Sequence, residues 1–197
     1  LLVVARIEPE NQVDAIIRAY RPVAGDLPLV IVGDTPYSRG YRRDVRLLAA
    51  QDPRVRLLGA IHDQEFMDAL YAGAKTYIHG HSVGGTNPSL LRAMGAAPVL
   101  AFDSPFNREV LDKGSLAYWR DARELTRHMA RIDETCQTSK QSDVCLDAYD
   151  WQSVAQCYAT VADSLSAPAG ILTPRGTAGS SLRSVARVQH SVSRGAA

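Results

Sequence analysis

The chain has 197 residues, 46% of them hydrophobic and 22% charged, which suits one soluble domain able to bury a core of its own. A formal net charge of +1 gives no electrostatic basis for nucleic acid as a main partner. Three cysteines, Cys136, Cys145 and Cys157, lack metal-type spacing, and an odd count argues against a disulfide framework, so a reduced, cytoplasmic protein is expected.

The sequence opens without Met, inside the apolar run "LLVVARI", and reads as a piece of a longer protein. No apolar run approaches the roughly 18–20 residues that span a bilayer. Short apolar runs predict strands at Leu2–Ala5, Leu29–Val32, Val55–Leu58, Thr76–His79 and Val99–Phe102. Between them, helices are predicted at Gln12–Tyr20, Tyr41–Gln51, Gln64–Ala72 and Pro88–Gly95. In the first, Val13, Ile16, Ile17 and Tyr20 repeat at helical spacing and mark a buried face. The strands are continuous apolar runs, as expected where helices cover both faces of a sheet. This alternation predicts an α/β fold with an open parallel sheet, Rossmann-like, with helices on both faces.

Further helices are expected at Asp121–Cys136 and Trp151–Leu165, with a polar, turn-like stretch at Thr135–Val144 between them. Residues 167–197 hold four arginines and no acid; subtracting those four from the total of +1 leaves −3 on residues 1–166. That segment has little to bury and reads as a disordered basic tail. The alternative is a weak amphipathic helix, with Leu182, Val185, Gln189 and Val192 on one face, peripheral to the inner side of a membrane.

Open parallel sheets bind ligands at the carboxyl ends of their strands, so the loops after each strand carry the functional question. The first, "ARIEPENQ", has no glycine, which argues against a nicotinamide or flavin dinucleotide site and places Arg6 toward the crevice. After the second strand, Gly33 permits an unusual backbone angle and Asp34 suits a cap. After the third, Gly59 ends the strand and Asp63 suits a helix N-cap. The fourth loop, in "YIHGHSVGGTNPSLLRAMG", is the most informative. Gly84 and Gly85 let backbone amides approach a ligand, while Asn87 and Pro88 suit a helix start whose free N–H groups favour a phosphate. A tight connection is the plainer reading. His79 and His81 share a strand face, but no neighbouring Cys, Asp or Glu completes a metal site. Inward packing or a structural hydrogen bond is expected for His79, and a hydrogen bond to phosphate for His81.

With "YIHGHSVGGTNPSLLRAMG" and "APVLAFDSPFNREVL" as its most specific stretches, the sequence from about Leu2 to Leu165 resembles the C-terminal, donor-binding domain of GT-B-fold glycosyltransferases. The likeness is to the retaining family-four enzymes, and among them to bacterial rhamnosyltransferases. It implies a nucleotide diphosphate sugar as donor substrate, no further cofactor, and a saccharide or lipid-linked acceptor held by an N-terminal domain that this chain lacks. The isolated chain would then be inactive. In that family an Arg and a Lys after the first strand serve the diphosphate; Arg6 matches the first, and Asn11 stands at the second. The turn around Ile61 resembles the segment that holds the base. The turn of Gly84, Gly85, Thr86, Asn87 and Ser89 resembles the one that receives diphosphate and sugar. Paired family glutamates are replaced by Gly84 and Arg92, the latter at the position linked to the ribose. The turn "MGAAPVL" is one residue shorter than usual. A non-catalytic binding module and a GT-B-fold sugar-nucleotide epimerase are the alternative readings.

Overall fold

The apolar runs become parallel strands because both faces of the sheet they form are covered. The computed structural model describes residues 1–111, 117–132 and 151–166. In chain order it contains β1 (Leu2–Val4), a 3-10 turn at Pro9–Asn11, α1 (Val13–Tyr20), β2 (Leu29–Val32), α2 (Arg39–Ala49), β3 (Val55–Gly59) and α3 (Gln64–Ala72). There follow β4 (Tyr77–His79), α4 (Pro88–Met94), β5 (Val99–Phe102), α5 (Pro105–Leu111), β6 (Ala117–Trp119), α6 (Ala122–Ala130) and, after the next undescribed stretch, α7 (Trp151–Ser166). The expectations for 133–150 and for the tail at 167–197 concern residues outside the described set. Among the described residues no helix is long and apolar enough to cross a membrane.

The sheet has six strands in the order β3-β2-β1-β4-β5-β6, and every neighbouring pair is parallel. Alternate side chains of each strand enter two separate cores. Val3, Ile31, Ile78 and Leu100 pack on one side with α1, α2 and α6, where Ile16, Ile17, Val45 and Leu125 are fully buried. Leu2, Val32, Tyr77 and Ala101 pack on the other with Met67 and Tyr71 of α3, Leu90 of α4 and Val110 of α5. Each fully buried aliphatic side chain is worth about 1.5–3 kcal/mol before ordering entropy. The predicted α1 face of Val13, Ile16, Ile17 and Tyr20 is buried throughout.

Two elements were not predicted. α5 starts at a Ser-Pro pair, and the Asn107 amide donates to Ser104 Oγ at 3.3 Å, so a cap-and-proline start signal was present in the sequence. β6 (Ala-Tyr-Trp) contains no Val, Ile or Leu, the residues by which the other strands were marked. The short turn before Pro98 leaves β5 in regular register, with Tyr77, Ile78 and His79 opposite Val99, Leu100 and Ala101. The chain divides into two units, Leu1–Ser153 and Val154–Ala197; the second is described through its part of α7, up to Ser166.

Candidate functional site

β1 lies between β2 and β4, so the loops leaving β1 and β4 turn to opposite faces and open a crevice at their carboxyl ends. A cleft of about 480 Å³ occupies that place, a volume suited to a small ligand. It is lined by the predicted residues Arg6, Asn11, Gly33, Ile61, His81, Asn87 and Ser89. Val4, Val32, Asp34 and Met67 also line it, and sequence reasoning had not assigned them to the site. Val4 and Val32 stand at the carboxyl ends of the apolar runs of β1 and β2, and that placement carried their signal. Nothing local marked Met67.

The loops after β1 and β4 are tied together. The Ser82 amide and hydroxyl both donate to Glu10 O at 2.9 Å, and Gln12 Nε2 donates to Gly80 O at 2.9 Å. Gln12 holds a left-handed φ of 51°, which the anchoring of its side chain sustains. Asn107, buried in α5, donates to His81 O at 3.0 Å and to Phe102 O at 2.9 Å, fixing the β4 loop from below. Sequence reasoning had given Asn107 no role.

The Arg6 side chain is 64% exposed and therefore open to a ligand, with its guanidinium shared between Glu8 at 3.3 Å and Glu10 at 3.8 Å. Glu8 is buried and accepts from Thr35 Oγ1 at 2.9 Å. It is the carboxylate that orients Arg6, and an acid two positions on from Arg6 was the available signal. Asn11 is buried, and both ends of its amide are engaged: Nδ2 donates to Arg6 O at 2.9 Å, and Oδ1 meets His81 Nδ1 at 2.9 Å. At the position where the resemblance calls for lysine, the chain thus has a neutral clamp between two loops. His79 is buried beside Tyr77, and burial pushes its pKa down to about 3. This matches the packing role expected of it.

α4 starts as predicted, with Asn87 as N-cap and Pro88 in the first turn. Its amides, however, are not free. Pro88 has none, Ser89 donates to Asn87 Oδ1 at 3.0 Å, and Leu90 and Leu91 both donate to Asn87 O. The cap that starts the helix consumes the donors expected to meet a phosphate. The amides of Gly84, Gly85 and Thr86 have no protein partner among the described residues. They precede the cleft-lining Asn87 without lining the cleft themselves. Gly84 has φ +107°, and a Cβ there would lie 3.4 Å from His81 Nε2; at Gly85 a Cβ would meet nothing within 4 Å.

Arg92 lies off the cleft. Its Nη2 donates to Asp68 Oδ1 of α3 at 2.6 Å, and its guanidinium sits 5.1 Å from the centroid of the Tyr71 ring. A cation over an aromatic face and beside a carboxylate has its partners on the protein. Arg92→Glu is therefore expected to lower stability by about 1 kcal/mol and to leave nucleotide affinity within about twofold. Thermal melting and calorimetric titration check this; a tenfold change in affinity would put Arg92 in the site.

A family model described as glycosyl transferases group 1 matches residues 1–143. No curated protein sequence matches the chain significantly. Among solved structures, Anabaena Alr3699/HepE in complex with UDP is similar with a TM-score of 0.72 at 17% identity, over 83% of this chain and 48% of that one. An α,α-trehalose-phosphate synthase (UDP-forming) from Burkholderia vietnamiensis gives a TM-score of 0.73 at 10% identity, over 87% of this chain and 45% of that one. The C-terminal domain of the group 1 glycosyl transferase LpcC from Francisella tularensis gives 0.54 at 14% identity, over 70% of this chain and 85% of that one. At these identities the structures show the fold, and this chain spans about half the length of the first two. With 143 of its 197 residues matched by the family model, the chain belongs to the group 1 glycosyl transferases.

Proposed function

We propose that this chain is the donor-binding part of a retaining glycosyltransferase. The enzyme would move a hexose or deoxyhexose, such as rhamnose, from a nucleotide diphosphate sugar to a polysaccharide or lipid-linked acceptor on the cytoplasmic side of a membrane. The observation that carries this reading is the cleft at the β1/β4 switch point, next to glycine-turn amides that have no protein partner among the described residues, on a chain of this family. That the Anabaena protein has been crystallised with UDP and with UDP-glucose supports a nucleotide diphosphate sugar as the ligand.

In this reading the apolar wall of Val32, Ile61 and Met67 takes the base, and Arg6 and the glycine turn take the diphosphate. The bond between the anomeric carbon and the diphosphate oxygen breaks, a bond to the acceptor hydroxyl oxygen forms, and the hydroxyl proton is taken up by the departing diphosphate. The electron pair of the broken bond leaves with the diphosphate, where Arg6 and oriented amides stabilise it. A non-catalytic nucleotide-sugar-binding module is the second reading, favoured by the engaged amide of Asn11 and the pairing of Arg92 with Asp68.

Gly85→Val tests the first reading. The site of the new Cβ is open, so the fold should survive, while the side chain should block approach to the amides. Losing one or two charge-assisted hydrogen bonds at roughly 1.5–3 kcal/mol each should weaken binding of UDP-glucose about tenfold or more. Unchanged affinity in a folded variant would remove the glycine turn from the site.

A further inference from the structure

The site at which the resemblance places a lysine holds Asn11, an uncharged amide engaged at both ends. Among the described residues Arg6 is left as the cation lining the cleft, and Glu8 and Glu10 share it. We propose that His81 supplies the missing charge: neutral in the free protein, it takes up a proton as a nucleotide diphosphate sugar docks, and its Nε2–H then donates to a phosphate oxygen at the glycine turn. The proposal rests on the donor-site reading above.

The geometry assigns the two ring nitrogens. Because Asn11 Nδ2 donates to Arg6 O, Asn11 Oδ1 is the end that faces the ring, and a carbonyl oxygen only accepts. His81 Nδ1 therefore carries a hydrogen in both charge states, and Nε2 is the nitrogen that titrates. Nε2 points at the turn, 3.4 Å from where a Cβ of Gly84 would stand. The Asn11 clamp holds that orientation, which makes Asn11 the positioning residue of the pair.

The surroundings favour the neutral form of the free ring. Burial lowers the His81 pKa, Glu10 on the 3-10 turn opposes this, and Arg6 adds to the lowering. The Glu10 carboxyl is itself held below the usual range, first by a hydrogen bond from its own backbone. On β4, His79 lies 6.0 Å away between ring centroids and is uncharged at neutral pH. On α5, the Phe106 ring meets His81 edge-on at 5.8 Å, while Arg108 turns away to Asp103 at 2.8 Å. Asn87 and Ser89, which border the cleft from α4, are uncharged. A diphosphate diester brings two negative charges to this place and favours the imidazolium.

The sign follows from linkage. The free pKa lies below the ordinary value and the bound pKa above the free one. Affinity therefore rises as pH falls from the bound pKa to the free pKa, with uptake of up to one proton per ligand, and is flat outside that window. The probes are UDP-glucose and thymidine diphosphate glucose, whose diphosphate diesters do not titrate in this range. Calorimetry on the 197-residue chain at about pH 6 and about pH 8.5, in two buffers of different ionisation enthalpy, reads affinity and proton uptake together. Binding about tenfold tighter at the lower pH, with net proton uptake, is expected, and His81→Gln should lose both. Affinity constant within about twofold with no proton uptake would overturn the role of His81 and leave the donor site standing. Absence of binding by either probe at every pH would overturn the donor-site reading and this inference with it.

Discussion

Gly33→Ala is expected to cost about 3 kcal/mol or more of stability, and so to lower the melting temperature by about 10 °C. Gly33 has φ +135°, a region that L side chains rarely adopt, and a Cβ there would overlap the Ala5 carbonyl, lying 1.9 Å from its oxygen. The crowding atom is backbone, in the segment that leaves β1 and donates from the Ala5 amide to Val32 O at 3.0 Å. It cannot yield as a flexible side chain would. Gly33 also donates to Gly59 O at 2.8 Å, so a shift there disturbs the ends of three strands at the cleft. Gly40→Ala is the control, because a Cβ in that helical position meets nothing within 4 Å and alanine is the better helix former. If both variants melt alike, the close approach at Gly33 does not hold the crevice together.

The chain by itself is expected to bind a nucleotide diphosphate sugar weakly, between tens of micromolar and millimolar, or about −4 to −7 kcal/mol, and to transfer no sugar. Transfer needs donor and acceptor held in near-attack geometry, an effect that supplies roughly 7–11 kcal/mol of barrier reduction. The described residues offer the cleft proposed for the donor, but no group among them is assigned to the acceptor hydroxyl. Incubation of radiolabelled donor with lipid-linked acceptors checks this. Product formed by the chain alone would contradict the division of labour proposed here. Turnover is expected only when an acceptor-binding domain is supplied, covalently or in trans.

Much of the fold was legible because burial imposes a pattern. Leu29–Val32 and Val99–Phe102 appear as strands at the predicted bounds, since a strand covered on both faces must be apolar throughout. Asp63 and Asn87 cap α3 and α4 as predicted, because a cap is a local hydrogen bond between residues close in sequence. What sequence did not reveal depends on contacts between distant segments. The clamp of Asn11 on His81 joins residues 70 apart, and the pairing of Arg92 with Asp68 joins residues 24 apart. The capped amides of α4 are a different case. The residues that signal a helix start do start it, and the same cap consumes the donors that such a start would offer a phosphate.

In the function proposed above, a nucleotide diphosphate sugar binds in the crevice between the loops of β1 and β4. Amide chemical shifts of the isotope-labelled chain, followed while UDP-glucose or thymidine diphosphate glucose is added, test it most directly. The largest changes are expected on Arg6, Gly33, Ile61, His81 and the Gly84–Thr86 turn, with Arg54 and Leu27 at the opposite end of the sheet unmoved. Changes concentrated at Arg54 and Leu27, or no changes at saturating ligand, would contradict it.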